Sequence, residues 1–171
     1  IAIIGTPDHW HALPAIAAIK AGAHLYLEKP IGHTIGEGRA ILNAARKYGK
    51  TVQVGTHRQV SPHNIMAMDF LRSGMVGKIH QVKCFVNYNW ATAGQKTVPT
   101  AIPTGLNWDM WIGPAPYREY TPGIHPKGFR QYLDFANGQI GDWGIHWFDQ
   151  VLWWTDEKYP KSVYSTGNRY V

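Results

Sequence analysis

In Leu25-Tyr26-Leu27-Glu28-Lys29-Pro30 an apolar run passes straight into a charged pair and is stopped at once by proline. A short buried strand that ends this way places Glu28 and Lys29 at its carboxyl tip. In an open α/β sheet the crevice beyond the carboxyl ends of the strands is where ligands bind. Lys29 is therefore a candidate for chemistry as well as for solubility.

The flanking sequence supports a parallel sheet. Ile1-Ala2-Ile3-Ile4 reads as a buried strand followed by Gly5-Thr6-Pro7-Asp8, with Asp8 expected to cap a helix over residues 9–21 and Gly22 to end it. The strand at residues 23–27 leads to Glu28-Lys29-Pro30. Thr34 and Glu37 have the spacing of a capping box for a helix carrying Ile41, Leu42, Ala44 and Ala45 and stopping at Gly49. Thr51-Val52-Gln53-Val54 is a third strand, running into Gly55-Thr56-His57-Arg58. Strand–helix–strand–helix–strand with short connections is the pattern of right-handed βαβ units, so three strand tips are expected on one rim.

Past Arg58 the pattern changes. Ser61-Pro62 opens a helix closed by Gly74. Residues 78–90 alternate as a half-exposed antiparallel strand does, residues 91–106 form a loop, and residues 107–116 a short helical turn. A helix is predicted from about Ile140 to Trp154, and a strand at residues 162–171. The expected organisation is α/β: the second half of a Rossmann sheet over residues 1–58, then an α+β domain with an open, largely antiparallel sheet over residues 59–171.

Composition narrows the function. The chain has 44% apolar and 16% charged residues, 8 tryptophans and a net charge of +6. Lys and Arg are scattered, with no basic run, so nucleic acid is not the expected partner. A single Cys84 excludes an internal disulfide. His9 and His11 beside Asp8, with His57 and His63 further along, lack metal-ligand spacing, so no metal is expected. There is no nucleophile elbow or P-loop, and no apolar run of membrane length, so no membrane partner is expected. Gly141-Asp142-Trp143-Gly144-Ile145-His146 opens the late helix with Asp142 and His146 at i and i+4. A neutral imidazole beside an ionised carboxylate is a workable general base, and an ion pair on a helix surface is the alternative.

These motifs, in this order, resemble the Gfo/Idh/MocA oxidoreductases, the glucose–fructose oxidoreductase and inositol dehydrogenase family. The resemblance rests on Thr6-Pro7-Asp8 with His11, on Glu28-Lys29-Pro30 and on Gly141 to His146. It extends to Ser73-Gly74-Met75-Val76-Gly77-Lys78-Ile79 and to Trp108-Asp109-Met110-Trp111-Ile112-Gly113-Pro114. It implies NAD or NADP, with Thr6, Pro7, His11, Glu28, Lys29, Pro30 and Arg58 on the cofactor side and Glu28 at the ribose. It implies a cis Lys29–Pro30 bond. Lys29, Asp142 and His146 are the implied catalytic residues: His146 as base, Lys29 polarising the substrate oxygen, Asp142 holding a hydroxyl. The implied activity is hydride transfer between nicotinamide and a secondary alcohol or ketone of a sugar, polyol or glycoside, with Trp108, Trp111, Trp143 and Trp147 as candidate sugar-stacking rings. A glycoside hydrolase or lyase working by transient oxidation and elimination is the alternative, and a non-catalytic module a third reading. Relatives also imply a homo-oligomer paired through the second-domain sheet.

One part of the family pattern is missing. The G-x-G-x-x-G turn and the acidic residue about 20 positions later, which hold the pyrophosphate and adenosine ribose, are absent. The sequence is therefore expected to start at the fourth strand of a six-stranded Rossmann sheet and to bind NAD weakly by itself.

Overall fold

A computed structural model of the chain describes residues 1–86 and 98–167. The chain divides into two compact units, Ile1–Gly55 with Gly94–Asp142 and Thr56–Ala93 with Trp143–Val171.

The first unit is built on three parallel strands in the order β1 (Ala2–Ile4), β2 (Leu25–Leu27), β3 (Val52–Val54). Ile4 pairs with Leu27 and Leu27 with Val54, so the three tips are level. Helices α1 (Ala12–Lys20) and α2 (Ile35–Lys47) are the crossovers. Their apolar stripes and one sheet face make a core of Ile4, Ala12, Ala15, Ile19, Leu25, Leu27, Ile41 and Ala45. Both helices end in a Schellman motif: Ala23 N–H donates to the Ala18 carbonyl and Gly22 N–H to Ile19, and Lys50 and Gly49 repeat the pattern on Ala45 and Arg46. The capping box forms, with Glu37 N–H donating to Thr34 Oγ1 at 3.2 Å and Thr34 N–H to Glu37 Oε2 at 2.9 Å.

Asp8 does not cap a long helix. It starts a separate 3-10 turn, Asp8–Trp10, and α1 begins only at Ala12 with His11 as its uncapped N-terminal residue. Pro14 supplies the reason: a proline ring clashes with the carbonyl four residues earlier, so an α-helix containing Pro14 cannot run back through Trp10.

A second core in this unit joins Trp108, Ile112, Tyr120, Ile124, Phe129, Phe135 and Ala136. Helix α3 (Pro62–Arg72) belongs to the second unit; α4 covers Trp108–Ile112 in the first and is capped by Asn107, whose Oδ1 accepts from Met110 N–H at 2.9 Å. The 3-10 turn after β1 fastens this core to the sheet. His9 donates from Nε2 to the Trp111 carbonyl at 3.0 Å, and its main-chain N–H to the Phe135 carbonyl at 3.2 Å. Trp10 Nε1 donates to the Met110 and Trp111 carbonyls at 3.1 and 3.0 Å, using orphan acceptors at the end of α4.

The second unit packs α3 against α5 (Ile145–Thr155), with the 3-10 turn His57–Val60 beside both. A π-helical turn, Ile140–Gly144, precedes α5, where one uninterrupted helix was expected. Among the described residues, 78–86 and 162–167 form no strand, and the rest of those two predicted strands lies outside the described residues. Alternation specifies two faces, yet a strand exists only where its N–H and C=O groups find a ladder partner, and residues 78–86 find none among the described residues.

Candidate functional site

The tips of β1, β2 and β3 are locked to one another by the main chain. Glu28 N–H donates to the Ile4 carbonyl at 2.9 Å and Gly55 N–H to the Leu27 carbonyl at 2.9 Å. Buried His11 braces two of the tips, with Nε2 2.6 Å from the Thr6 carbonyl and Nδ1 2.5 Å from the Pro30 carbonyl. A carbonyl oxygen only accepts, so both contacts are hydrogen bonds together when both ring nitrogens carry protons. The Lys29–Pro30 bond is cis. Thr6 is exposed at the rim, and the Glu28 carboxylate lies over Gly55, where a Cβ would come within 2.9 Å of both of its oxygens.

Lys29 and Asp142, 113 residues apart in sequence, meet in this unit. Lys29 Nζ donates to Asp142 Oδ1 at 2.6 Å and to the Asp142 carbonyl at 2.8 Å. The two side chains are 16% and 15% exposed, so their pairing is partly shielded from water. The ammonium has three donors, and among the described residues the third has no acceptor. Arg130, from the 3-10 turn Gly128–Gln131, forms an ion pair with the other oxygen of the carboxylate, Nε to Oδ2 at 3.2 Å.

Asp8 and His9 lie behind this pair. Burial pushes the Asp8 carboxyl above its ordinary value of 3.8; His11, Arg130 and Lys29 oppose that rise and Asp142 adds to it. Asp8 Oδ2 and His9 Nδ1 have no hydrogen-bond partner among the described residues. Burial pushes the His9 imidazole below its ordinary value of 6.5, against the hydrogen bond from Nε2 to the Trp111 carbonyl.

His146 and Arg58 fall in the second unit. His146 is buried, with its ring centre 4.9 Å from that of His57 in an edge-on arrangement and 6.3 Å from that of Trp143. The Arg58 guanidinium sits 4.0 Å from the centre of the Trp147 ring, a cation–π distance, and donates to Gln150 Oε1 at 3.4 Å. Gln150 passes the chain of bonds to Asn64 at 3.2 Å, and Gln59 donates to Asp149 at 2.7 Å.

Of the four tryptophans proposed for sugar stacking, Trp108 is 2% exposed and stacks on Trp111 at 4.8 Å and 9° within the second core. Trp147 carries Arg58 on its face, and Trp143 is 37% exposed. A groove of about 810 Å³ in the first unit lies against the start of α2, among Ile31, His33, Thr34, Ile35, Arg39 and Ile140, and Lys29 is not part of its lining.

Sequence reasoning missed Arg130. It lies twelve positions before Asp142 in no motif, and a pair formed across a loop leaves no periodic mark. The available signal was a lone cation in an aromatic, irregular stretch, Phe129-Arg130-Gln131-Tyr132.

Residues 1–56 match the NAD-binding Rossmann fold of an oxidoreductase family, and residues 61–168 match the same family's C-terminal alpha/beta domain. The rhizopine catabolism protein MocA of Rhizobium meliloti is 30% identical over 144 residues, covering 82% of this chain and 44% of that protein. The levoglucosan dehydrogenase of Pseudarthrobacter phenanthrenivorans is 31% identical over 88 residues, covering 52% of this chain and 23% of that protein. An oxidoreductase domain protein from Kribbella flavida superposes with a TM-score of 0.63 at 25% identity, over 90% of this chain and 34% of that one. The chain thus spans less than half the length of either of these two curated relatives. With both of its parts matched in order, the chain belongs to the Gfo/Idh/MocA oxidoreductase family.

Proposed function

We propose that the protein bearing this chain is an NAD(P)-dependent oxidoreductase. Its reaction is hydride transfer between nicotinamide and a secondary alcohol or ketone of a sugar, polyol or glycoside. The single observation that carries this reading is the Lys29–Asp142 pair at the tip of β2 in an NAD-binding fold.

The residues present fit the nicotinamide end of a dinucleotide. The three tips are level, Thr6 is exposed, and Glu28 stands over a position kept bare of a side chain at Gly55. Thr6, Pro7, Glu28, Lys29 and Pro30 would hold the cofactor, with Glu28 accepting from ribose hydroxyls, His11 bracing the tips from beneath and Arg58 a further contact. When bound, the nicotinamide takes up or gives back the hydride.

The chain's own groups deal with the proton and the developing charge. The third N–H of Lys29 donates to the substrate oxygen, stabilising negative charge as the alcohol is deprotonated. Asp142 holds the ammonium in place through two acceptors, so little reorganisation is required when the substrate binds. His146 accepts the hydroxyl proton, an imidazole being suited to that role near neutral pH. In reduction the same groups run in reverse. Without a G-x-G-x-x-G turn, the 171-residue chain alone is expected to bind NAD more weakly than micromolar.

The test is turnover by the full-length protein with NAD⁺ or NADP⁺ and a panel of sugars, polyols and glycosides, read as NADH or NADPH formed. Substrate-dependent reduced cofactor, lost on Lys29→Ala, is the expected result. Glycoside cleavage without net reduced cofactor would replace this reading with transient oxidation and elimination. A cofactor-free, inactive protein would overturn both.

A further inference from the structure

We propose that Arg130 is a positioning residue. By fixing the plane of the Asp142 carboxylate it aims the one uncommitted N–H of Lys29. The inference rests on the functional reading above for its kinetic consequence, while its structural consequence at Lys29 stands apart from that reading.

The reason lies in how loosely an aspartate is held by its own torsions. The terminal torsion of Asp is broad and roughly two-fold, with no sharp staggered well. A carboxylate bonded through one oxygen therefore swings about that contact. Asp142 also sits on an irregular platform, a π-helical turn with glycines on either side at 141 and 144. Its carboxylate meets a cation at each oxygen, Lys29 through a hydrogen bond to Oδ1 at 2.6 Å and Arg130 through an ion pair at Oδ2 at 3.2 Å. Two contacts on two oxygens define a plane, and Lys29 is the partner on one edge of it.

Lys29 benefits because a flexible four-carbon stem cannot aim an ammonium unaided. Two of its three N–H groups are taken by Asp142, by the carboxylate and by the main-chain carbonyl. With those two directions set, the direction of the third is fixed by tetrahedral geometry. If the carboxylate swings, the third N–H swings with it.

Arg130 is built to act as the stop. Its guanidinium lies 4.6 Å from the centre of the Phe129 ring, which is 4% exposed and part of the second core. The ion pair with Asp142 is made by Nε, close to the stem, so the nitrogen in contact is the one with least reach to wander. A half-exposed ion pair of this kind adds little to stability. Its loss should therefore be seen at Lys29 and in catalysis, with little change in folding.

The experiment compares wild type, Arg130→Ala, Arg130→Lys and Asp142→Ala in the full-length protein. The first readout is the acetylation rate of Lys29 by acetic anhydride, followed by peptide mass spectrometry. Lys29 should be protected in the wild type, several-fold faster in Asp142→Ala, faster also in Arg130→Ala, and intermediate in Arg130→Lys. The second readout is steady-state kinetics on the substrate found in the panel. Arg130→Ala should lower kcat about 10- to 100-fold with KM within about threefold, the pattern of lost orientation, and added guanidinium should restore part of it. Thermal unfolding confirms that the variant is folded, and Arg130→Gln replaces it if it is not. Lys29 acetylation and kcat both unchanged in a folded Arg130 variant overturn the proposal. If Lys29→Ala keeps full activity, the catalytic reading fails, and the acetylation result still decides whether Arg130 orders Lys29.

Discussion

The indole of Trp10 occupies the space that a Cβ on Gly113 would need, and the same indole donates to the Met110 and Trp111 carbonyls just before that glycine. Gly113 has φ of +50°, a conformation that L side chains rarely adopt. Gly113→Ala therefore meets two penalties, strained backbone and overlap with a ring that is itself hydrogen-bonded. The expected loss is roughly 2–4 kcal/mol, measurable as a lower urea midpoint. A loss under about 0.5 kcal/mol would show that the turn after β1 does not anchor the second core through this contact.

Gly55 gives the opposite expectation. A Cβ there would come within 2.9 Å of both Glu28 carboxylate oxygens and 3.0 Å of the carbon between them. Those atoms end a flexible side chain, so they can move aside at small cost. Gly55→Ala should change stability by less than about 1 kcal/mol. Where Glu28 accepts from the cofactor ribose as proposed, the same change should raise the KM for NAD⁺ several-fold and leave the sugar KM nearly constant. Cofactor KM unaltered in a variant with displaced Glu28 would remove Glu28 from the cofactor site.

His9 links pH to stability. Its folded imidazole loses the proton at a lower pH than the ordinary 6.5 because it is buried. Between those two values the unfolded chain binds more protons than the folded chain, so stability rises with pH. The stabilisation is complete above 6.5 and is lost as pH falls through the folded value. Asp8 has the opposite sign: its raised carboxyl makes the fold most favourable below 3.8 and less so as pH rises through the raised value. Between about pH 7.5 and about pH 5 the wild type should therefore lose more stability in urea unfolding than His9→Gln, because Asp8 acts in both and only the His9 contribution differs. An equal slope in wild type and variant would assign the pH dependence to other groups.

The local rules carried well through the sheet. Leu25-Tyr26-Leu27, the Thr34/Glu37 box and the glycines after α1 and α2 are specified by neighbours within four residues, and each forms as read. The helix read from Asp8 starts only at Ala12 because Pro14, counted as a mild disturbance near the helix start, bars an α-helix from running back through Trp10. The alternation at residues 78–86 was a statement about faces, and it contains no information on whether a partner edge exists. The anchoring of Trp10 to α4 and of Arg130 to Asp142 joins side chains across irregular loops, where no period records the contact. Lys29 and Asp142 were legible only as separate motifs, and their meeting at 2.6 Å is a product of the tertiary fold.

That meeting predicts how paired substitutions behave. Lys29 and Asp142 are each other's principal partners, so removing either should leave the other misdirected. Lys29→Ala and Asp142→Ala should each lower kcat/KM by roughly 100-fold or more, and the double variant should be little worse than the weaker single one, because groups acting as a unit are not additive. Asp142→Asn is the finer probe. It keeps an oxygen and the main-chain carbonyl for Lys29 and removes the charge that Arg130 meets at Oδ2. Its activity should fall between wild type and Asp142→Ala. Strict additivity of the two alanine variants, measured as ΔΔG‡ in a double-mutant cycle, would mean that Lys29 and Asp142 act on the substrate independently and that their ion pair only joins two loops.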